Sequence, residues 1–251
     1  MTMRRTLTRL EVRNPGLYAT LRSFGYALLG FYGATVARAC GAIMWPVYRR
    51  THRIRRLHLG CSALLRPGWY NTDKYPRRMG VAYCDATGRY PFENHAFDYV
   101  FTEHMIEHVP YAGGKLLVGE CWRVLKPGGK LRISTPDLGR ILALRHPTTQ
   151  IERQYVQFAL GTIPEAVDSQ TSFFINQFMR AWGHTFIYDR ETLSGLMRSA
   201  GFIDITERRP GESDDPELVG IERHGETFPN PEFNLIESMV LEGTKPAVCK
   251  S

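Results

Sequence analysis

From residue 54 onward, short apolar runs rich in β-branched and aromatic residues alternate with stretches of helical period, a pattern that predicts a parallel α/β sheet. Residues 54–59 (IRRLHL) predict a first strand and 70–72 the end of a short second. A third follows at 81–84 (VAYC) and a fourth at 97–102 (FDYVFT). Residues 112–125 read as a helix stopped by Lys126-Pro127-Gly128-Gly129, and 130–134 as a fifth strand broken at Pro136. Residues 138–182 are mostly helical in pattern and longer than a connection requires, so they predict a lid or substrate insert. Asp189 is placed to cap a helix that ends at Ala200 with Gly201 beyond it. Strands at 203–208 and 236–242 complete the pattern, separated by a proline- and acid-rich loop, 210–231.

One interval breaks the alternation. Only twelve residues separate Gly60, at the end of the first strand, from Asp73 at the end of the second, which leaves room for at most a turn or so. The first crossover helix is therefore reduced, and one sheet face lacks its cover, an unfavourable state for parallel strands. The apolar, helix-compatible run 17–48 is expected to pack on that face or next to it.

Charge sharpens this division. The formal net charge is +7, yet residues 1–56 hold eleven arginines against one acid, Glu11, and the remainder is net acidic. Residues 1–53 thus read as a basic, apolar helical extension and 54–251 as the main domain. An arginine-rich segment of this kind suits a solvated tail, an anionic membrane surface or nucleic acid. The longest charge-free run, 23–37, is shorter than the roughly twenty residues of a spanning helix, so peripheral contact through 1–56 is the membrane reading. Nucleic acid is not expected, because the arginines are not interleaved with aromatic stacking residues. Five cysteines (40, 61, 84, 121, 249) without C-x-x-C spacing argue against a disulfide framework and for a reducing compartment. The expected location is the cytoplasm, with the inner face of the membrane as its variant.

Ligands of open α/β sheets sit beyond the carboxyl ends of the strands. Those ends here carry Gly60-Cys61-Ser62, Asp73, Asp85-Ala86 and Glu103-His104. The segments LHLGCS (57–62), PGWYNTD (67–73), 84–109, RVLKPGGKLRISTPDL (123–138) and GHTFIYDRETLSGLMRSAGF (183–202) resemble class I S-adenosylmethionine-dependent methyltransferases. In particular they resemble a branch associated with sugar and polysaccharide modification. The resemblance implies a Rossmann-like seven-stranded sheet, mostly parallel with an antiparallel last strand, and helices on both faces. It also implies that Gly60, Cys61 and Ser62 cradle the methionyl part of the cofactor, Asp73 holds the ribose, Asp85 and Ala86 face the adenine, and Glu103 and His104 border the sulfonium. Ser62 departs from the pattern, since the family usually has a second glycine there, and this bears on cofactor affinity.

Methyl transfer to a hydroxyl needs a base or a metal, because the acceptor proton is held far above neutral pH. His104 and His184 are the candidate bases, and Asp137 is either an orienting or acceptor-binding group or the N-cap of a helix from Leu138 onward. In HMIEH, Glu107 and His108, with His104 or His184, form a candidate divalent set if the segment is helical, Mg2+ being the ion implied by related E-x-x-E-H motifs. The alternative is that the carboxylate caps the helix and the histidines fill the core or cleft, as in metal-free members. Trp182, Phe186 and Tyr188 line an acceptor pocket or belong to the core. The expected activity is O-methylation of a sugar or glycoconjugate hydroxyl, with a glycolipid among the acceptors. Alternatives are methylation of a phenolic or polyketide metabolite, an RNA-modifying protein, and a non-catalytic cofactor-binding fold.

Overall fold

The computed structural model describes residues 15–161, 170–180 and 182–247. Helix α1 (Pro15–Tyr32) passes through a π-helical turn into α2 (Arg38–Thr51). The sheet then forms from β1 (Arg56–Leu59), β2 (Tyr70–Asp73), β3 (Ala82–Tyr83), β4 (Phe97–Glu103), β5 (Leu125–Pro136), β6 (Ile203–Arg208) and β7 (Ser238–Thr244). Between these lie α3 (Tyr111–Val124), α4 (Leu138–Ala143), α5 (Gln150–Leu160), α6 (Gln170–Arg180), α7 (Arg190–Ser199) and α8 (Phe233–Glu237). The strand order is β3-β2-β1-β4-β5-β7-β6, and only β7 runs antiparallel to its neighbours. This is the Rossmann-like methyltransferase sheet expected from the sequence. Several boundaries shift: β1 starts at Arg56 rather than 54, β3 is limited to Ala82–Tyr83, β7 runs Ser238–Thr244 rather than 236–242, and β5 includes both Pro136 and Lys126–Gly129, with Leu125 already paired to Phe97 across a register shift. Asp189 caps α7 by accepting from Thr192 N–H at 2.7 Å, as its spacing predicts.

Side chains alternate across the strands, so the two faces can be read separately. Leu57, Leu59, Val100, Leu131 and Ile133 point into one core with Leu117, Val118 and Cys121 of α3 and Leu193, Leu196 and Met197 of α7. Trp45 and Tyr48 of α2 enter the same core, against Tyr70, Phe92 and Phe97. Right-handed crossovers explain why α2 sits there. A helix linking β3 to β4 would lie on the α3 face, but the link 84–96 is helix-free, and α2 fills its place. The Tyr48 hydroxyl accepts Arg56 N–H at 3.0 Å and lies within hydrogen-bond reach of the Arg56 and Gly68 carbonyls. Tyr48→Phe leaves these partners short of one group, so a loss of about 1–3 kcal/mol in urea unfolding is expected, with an effect under ~0.5 kcal/mol refuting the anchoring role.

The opposite face corrects the expectation about 17–48. The β1–β2 link is indeed helix-free, but its face is covered by the loop 209–228 and not by the N-terminal helices. Leu218 and Ile221 pack on Phe101, Trp69 and Tyr99. Ion pairs fix the loop: Arg132, fully buried in β5, reaches Glu222 at 2.6 Å and also pairs with Glu242, while Arg56 pairs with Glu217. Within the helix-free link, the Asn71 side chain stands in for a backbone ladder. Its Oδ1 accepts Arg66 N–H at 2.9 Å, and its Nδ2 donates to the Arg66 and Trp69 carbonyls at 3.0 Å.

The insert forms a small core of its own. Tyr155, Phe174 and Phe178 pack with Ile141, Leu144, Ile187 and Phe233, which sets α4–α6 beside the carboxyl end of the sheet.

Candidate active site

Gly60 leaves β1 with φ +68°, and a Cβ there would collide with Met105 Cγ. Both features require glycine. Ser62 also lies in the left-handed region, at φ +46°. This is the physical reason a glycine is favoured at that position: the conformation costs an L-residue about 1–2 kcal/mol. The Ser62 side chain is exposed rather than wedged into the turn. Its N–H donates to Asp73 Oδ2 at 2.8 Å, and Asp73 Oδ1 accepts Tyr75 N–H at 2.7 Å. Each carboxylate oxygen keeps a second lone pair, so Asp73 can still accept from a vicinal diol. Cys61 is buried, and desolvation, aided by the Asp73 charge, pushes its thiol up to about 12, so it stays protonated. The turn therefore presents small groups and backbone, which suits a zwitterionic methionyl group.

A cavity of about 530 Å³ opens over this turn. It gathers Gly60, Cys61, Ser62, Glu103, His104, Glu107, His108 and His184, with Phe158 and Trp182 from the insert and His224 and Phe228 from the loop. Asp73, Asp85, Ala86 and Asp137 do not line it. Asp85 pairs with Lys74 at 2.9 Å and caps Thr87, and it borders a second cavity against Arg38 and Trp45. Ala86 packs against the main core. Asp137, expected as a catalytic or orienting group, caps α4 through Gly139 N–H at 2.8 Å and lies 3.4 Å from Arg140. Phe186 and Tyr188 belong to the core, leaving Trp182 as the aromatic of that trio on the cavity.

The HMIEH segment is not helical throughout, which corrects its expected geometry. Strand β4 runs through Glu103, His104 turns left-handed at φ +45°, and only a three-residue 3-10 turn, Ile106–His108, follows. His104 and His108 therefore separate. His104 donates from Nε2 to Ser238 Oγ at 2.8 Å, because the Ser238 hydroxyl itself donates to Asn234 Oδ1. Its Nδ1 lone pair then faces Glu107 Oε1 at 3.5 Å and Glu237 Oε1 at 3.8 Å. Its ring stacks on His224, centroids 3.6 Å apart. Burial, with the neighbouring His224 and His184, holds His104 well below the usual histidine range, so it is neutral.

Glu107 is fully buried, and desolvation pushes its carboxyl up to about 8. Thr135 donates to its Oε2 at 2.9 Å, while Oε1 has no hydrogen-bond partner among the described residues. The Glu107 carbonyl accepts Thr185 N–H at 2.8 Å, which ties the 183–186 loop to the turn and sets His184 beside His108, ring centroids 5.1 Å apart and tilted 59°. His184 Nδ1 lies 2.7 Å from the Phe178 carbonyl, which can only accept. The proton is therefore on Nδ1, and Nε2 carries the lone pair. Burial, with the charges of His108 and His224, lowers the His184 pKa. Glu107, His108 and His184 offer donor atoms within 4.8 Å of one another, and so do His104, His224 and Glu237. Tilted rings can aim at one ion, whereas the parallel stack of His104 and His224 cannot place a metal in both ring planes. Two imidazoles and one carboxylate suit a transition ion such as Zn2+ or Mn2+ better than Mg2+, which prefers oxygen.

The fold also brings residues to the cavity that local motifs do not mark. Glu103 accepts the N–H groups of Arg223 and His224 at 2.8 Å and pairs with Arg66 at 2.7 Å, both side chains buried. The carboxylate expected at the sulfonium is thus also the clasp that holds the loop over the site. His224 lies 121 positions beyond Glu103 in the chain, inside a loop without a strand or helix pattern, and only the tertiary fold brings the two together. Phe158 and Glu237 reach the cavity in the same way, from α5 and α8.

The family model of the methyltransferase domain matches residues 69–133. A curated demethylmenaquinone methyltransferase of Clavibacter sepedonicus is 30% identical over 141 residues, which is 52% of this chain and 49% of that protein. The chain therefore spans about half the length of the curated relative it matches. Among solved structures, a phosphoethanolamine N-methyltransferase of Haemonchus contortus in complex with S-adenosyl-L-methionine is similar at 20% identity and TM-score 0.39, covering 77% of this chain and 49% of that one. A possible histamine N-methyltransferase of Thermotoga maritima gives 16% identity and TM-score 0.44, covering 82% and 96%. Residues 69–133 thus match a methyltransferase domain, and the strand order with its antiparallel β7 and the glycine turn after β1 agree with that match.

Proposed function

We propose that this protein transfers a methyl group from S-adenosylmethionine to a hydroxyl of a sugar or glycoconjugate, glycolipids included. The observation that carries the reading is the cavity in which the Gly60–Ser62 turn faces His184, whose Nε2 lone pair is set by the Nδ1–H bond to Phe178. S-adenosylmethionine supplies an electrophilic methyl group when bound, and Gly60, Cys61, Ser62 and Asp73 are the residues that would hold it. His184 takes the acceptor proton at Nε2. A base of this kind is needed for an alcohol and much less for an amine or a phenol. Trp182 and Phe228 offer faces on which a sugar ring can stack, while Phe158 and the other insert residues exclude water.

A second reading has its own support. The orphaned Glu107 Oε1, with the tilted rings of His108 and His184, fits a divalent transition ion that would lower the acceptor pKa directly. The two readings part on metal removal: chelation followed by readdition leaves a His184-based reaction unchanged and abolishes and restores a metal-based one.

The function itself is tested by supplying S-adenosylmethionine with a labelled methyl group to extracts of the source cells and identifying the product. Label in an ether-linked methyl on a glycan or glycolipid supports the assignment. Label confined to amines, carbon centres or phenolic metabolites refutes it.

A further inference from the structure

Helix α1 carries large apolar side chains that the fold does not bury. Leu17, Leu21, Phe24, Leu28 and Phe31 recur at intervals of four and three residues, and Phe24 and Phe31 are 62% and 70% exposed. At 100° per residue these five positions fall within an arc of about 80°, so they form one stripe along the helix. Helix α2 adds exposed apolar side chains of its own. Ile43 and Val47 are exposed one turn apart, on the side of α2 opposite the buried Trp45 and Tyr48. An exposed apolar surface of this length marks an interaction site.

Its electrostatics select the partner. Between Pro15 and Thr51 the chain has four arginines, 22, 38, 49 and 50, and no aspartate or glutamate. Arginines 4, 5, 9 and 13, with one acid, Glu11, precede this segment, and Arg53 follows it. No described helix is long and apolar enough to cross a membrane. Glu93 pairs with Arg49 at 3.0 Å, but the segment as a whole stays strongly basic. A stripe of leucine and phenylalanine in such a setting suits the boundary between the headgroups and acyl chains of an anionic bilayer.

We propose that α1 and the outer side of α2 dock on an anionic lipid surface. The apolar stripe enters the interface while the arginines meet lipid phosphates, and the methyltransferase domain is carried by the Trp45 and Tyr48 face of α2. The inference goes beyond the acceptor assignment and does not depend on it, because lipid binding is read without any methyl transfer.

The test is flotation of the full chain with phosphatidylglycerol vesicles and with phosphatidylcholine vesicles, at low and high salt. Binding to phosphatidylglycerol that falls steeply with salt, and at least tenfold weaker binding to phosphatidylcholine, is expected. The triple variant L21S/F24S/F31S alters only exposed positions, so it should keep its thermal midpoint and lose at least tenfold in vesicle partition. Absence of binding by the unaltered chain overturns the proposal, as does undiminished binding by a folded triple variant. A stable dimer in light scattering that the triple variant dissolves, without vesicle binding, would assign the stripe to a second copy of the chain and equally overturn it.

Discussion

Replacing His184 by alanine lowers kcat/KM for the acceptor by roughly 10²–10⁴-fold, the usual contribution of a positioned general base. The expectation rests on geometry. The Phe178 carbonyl fixes the Nδ1–H tautomer, and the Glu107 carbonyl holds Thr185, so the lone pair on Nε2 has few orientations to lose before reaction. The contacts that shape the Gly60–Asp73 turn run to Asp73, Tyr75 and Thr72 rather than to His184, so binding of S-adenosylhomocysteine measured by titration should stay within about threefold of the unaltered protein. A variant that keeps full kcat shows that His184 only lines the cavity. One that loses the nucleoside as well has damaged the site, and the comparison with His184→Gln then separates proton transfer from packing.

Arg132→Ala is expected to cost about 3–5 kcal/mol of stability, because removing one partner strands buried charge. Arg132 is fully buried and pairs with both Glu222 and Glu242. It also donates to the Glu212 carbonyl at 2.9 Å. These contacts join the loop 209–228 to the middle of the sheet, so the variant should unfold at lower urea and be cleaved in this loop by protease before the rest of the chain opens. A loss under ~1 kcal/mol would mean that Leu218 and Ile221 hold the loop by apolar contact alone. Replacing Arg132, Glu222 and Glu242 together by apolar residues of similar size should recover much of the loss, since no charge is then left unpaired.

The turn after β1 was more legible in the sequence than the walls of the cavity, and of the strand-end residues expected at the cofactor Asp73, Asp85 and Ala86 do not line it. Gly60 and Asp73 stand out locally because a turn with positive φ and a carboxylate at a strand end each leave a mark in a few adjacent residues. His184 was also marked, by its place in GHTFIYD. His224, Glu237 and the clasp at Glu103 were not, because their partners lie on other strands and loops. Asp137 shows the limit of such marks: an N-cap and an orienting or acceptor-binding carboxylate look alike in sequence, and here the carboxylate accepts the Gly139 amide, as the cap reading has it. HMIEH has helical spacing, but the end of β4 at Glu103 and the left-handed His104 allow only a short turn.

The sequence by itself determined the order of strands and helices, the glycine turn after β1, the cap at Asp189 and the shortness of the first crossover. Each of these follows from local periodicity or from the conformational limits of a few neighbouring residues. Only the tertiary structure decided which segment covers which face. The β1–β2, β2–β3 and β3–β4 crossovers are all helix-free, which left both sheet faces short of cover; α2 took the place beside α3 by burying Trp45 and Tyr48, while the loop 209–228 covered the other face through Arg132, Glu222, Leu218 and Ile221. Local pattern says how much apolar surface a segment has to bury, but which partner buries it is set by the handedness of the crossovers and the pairing of charges between distant residues.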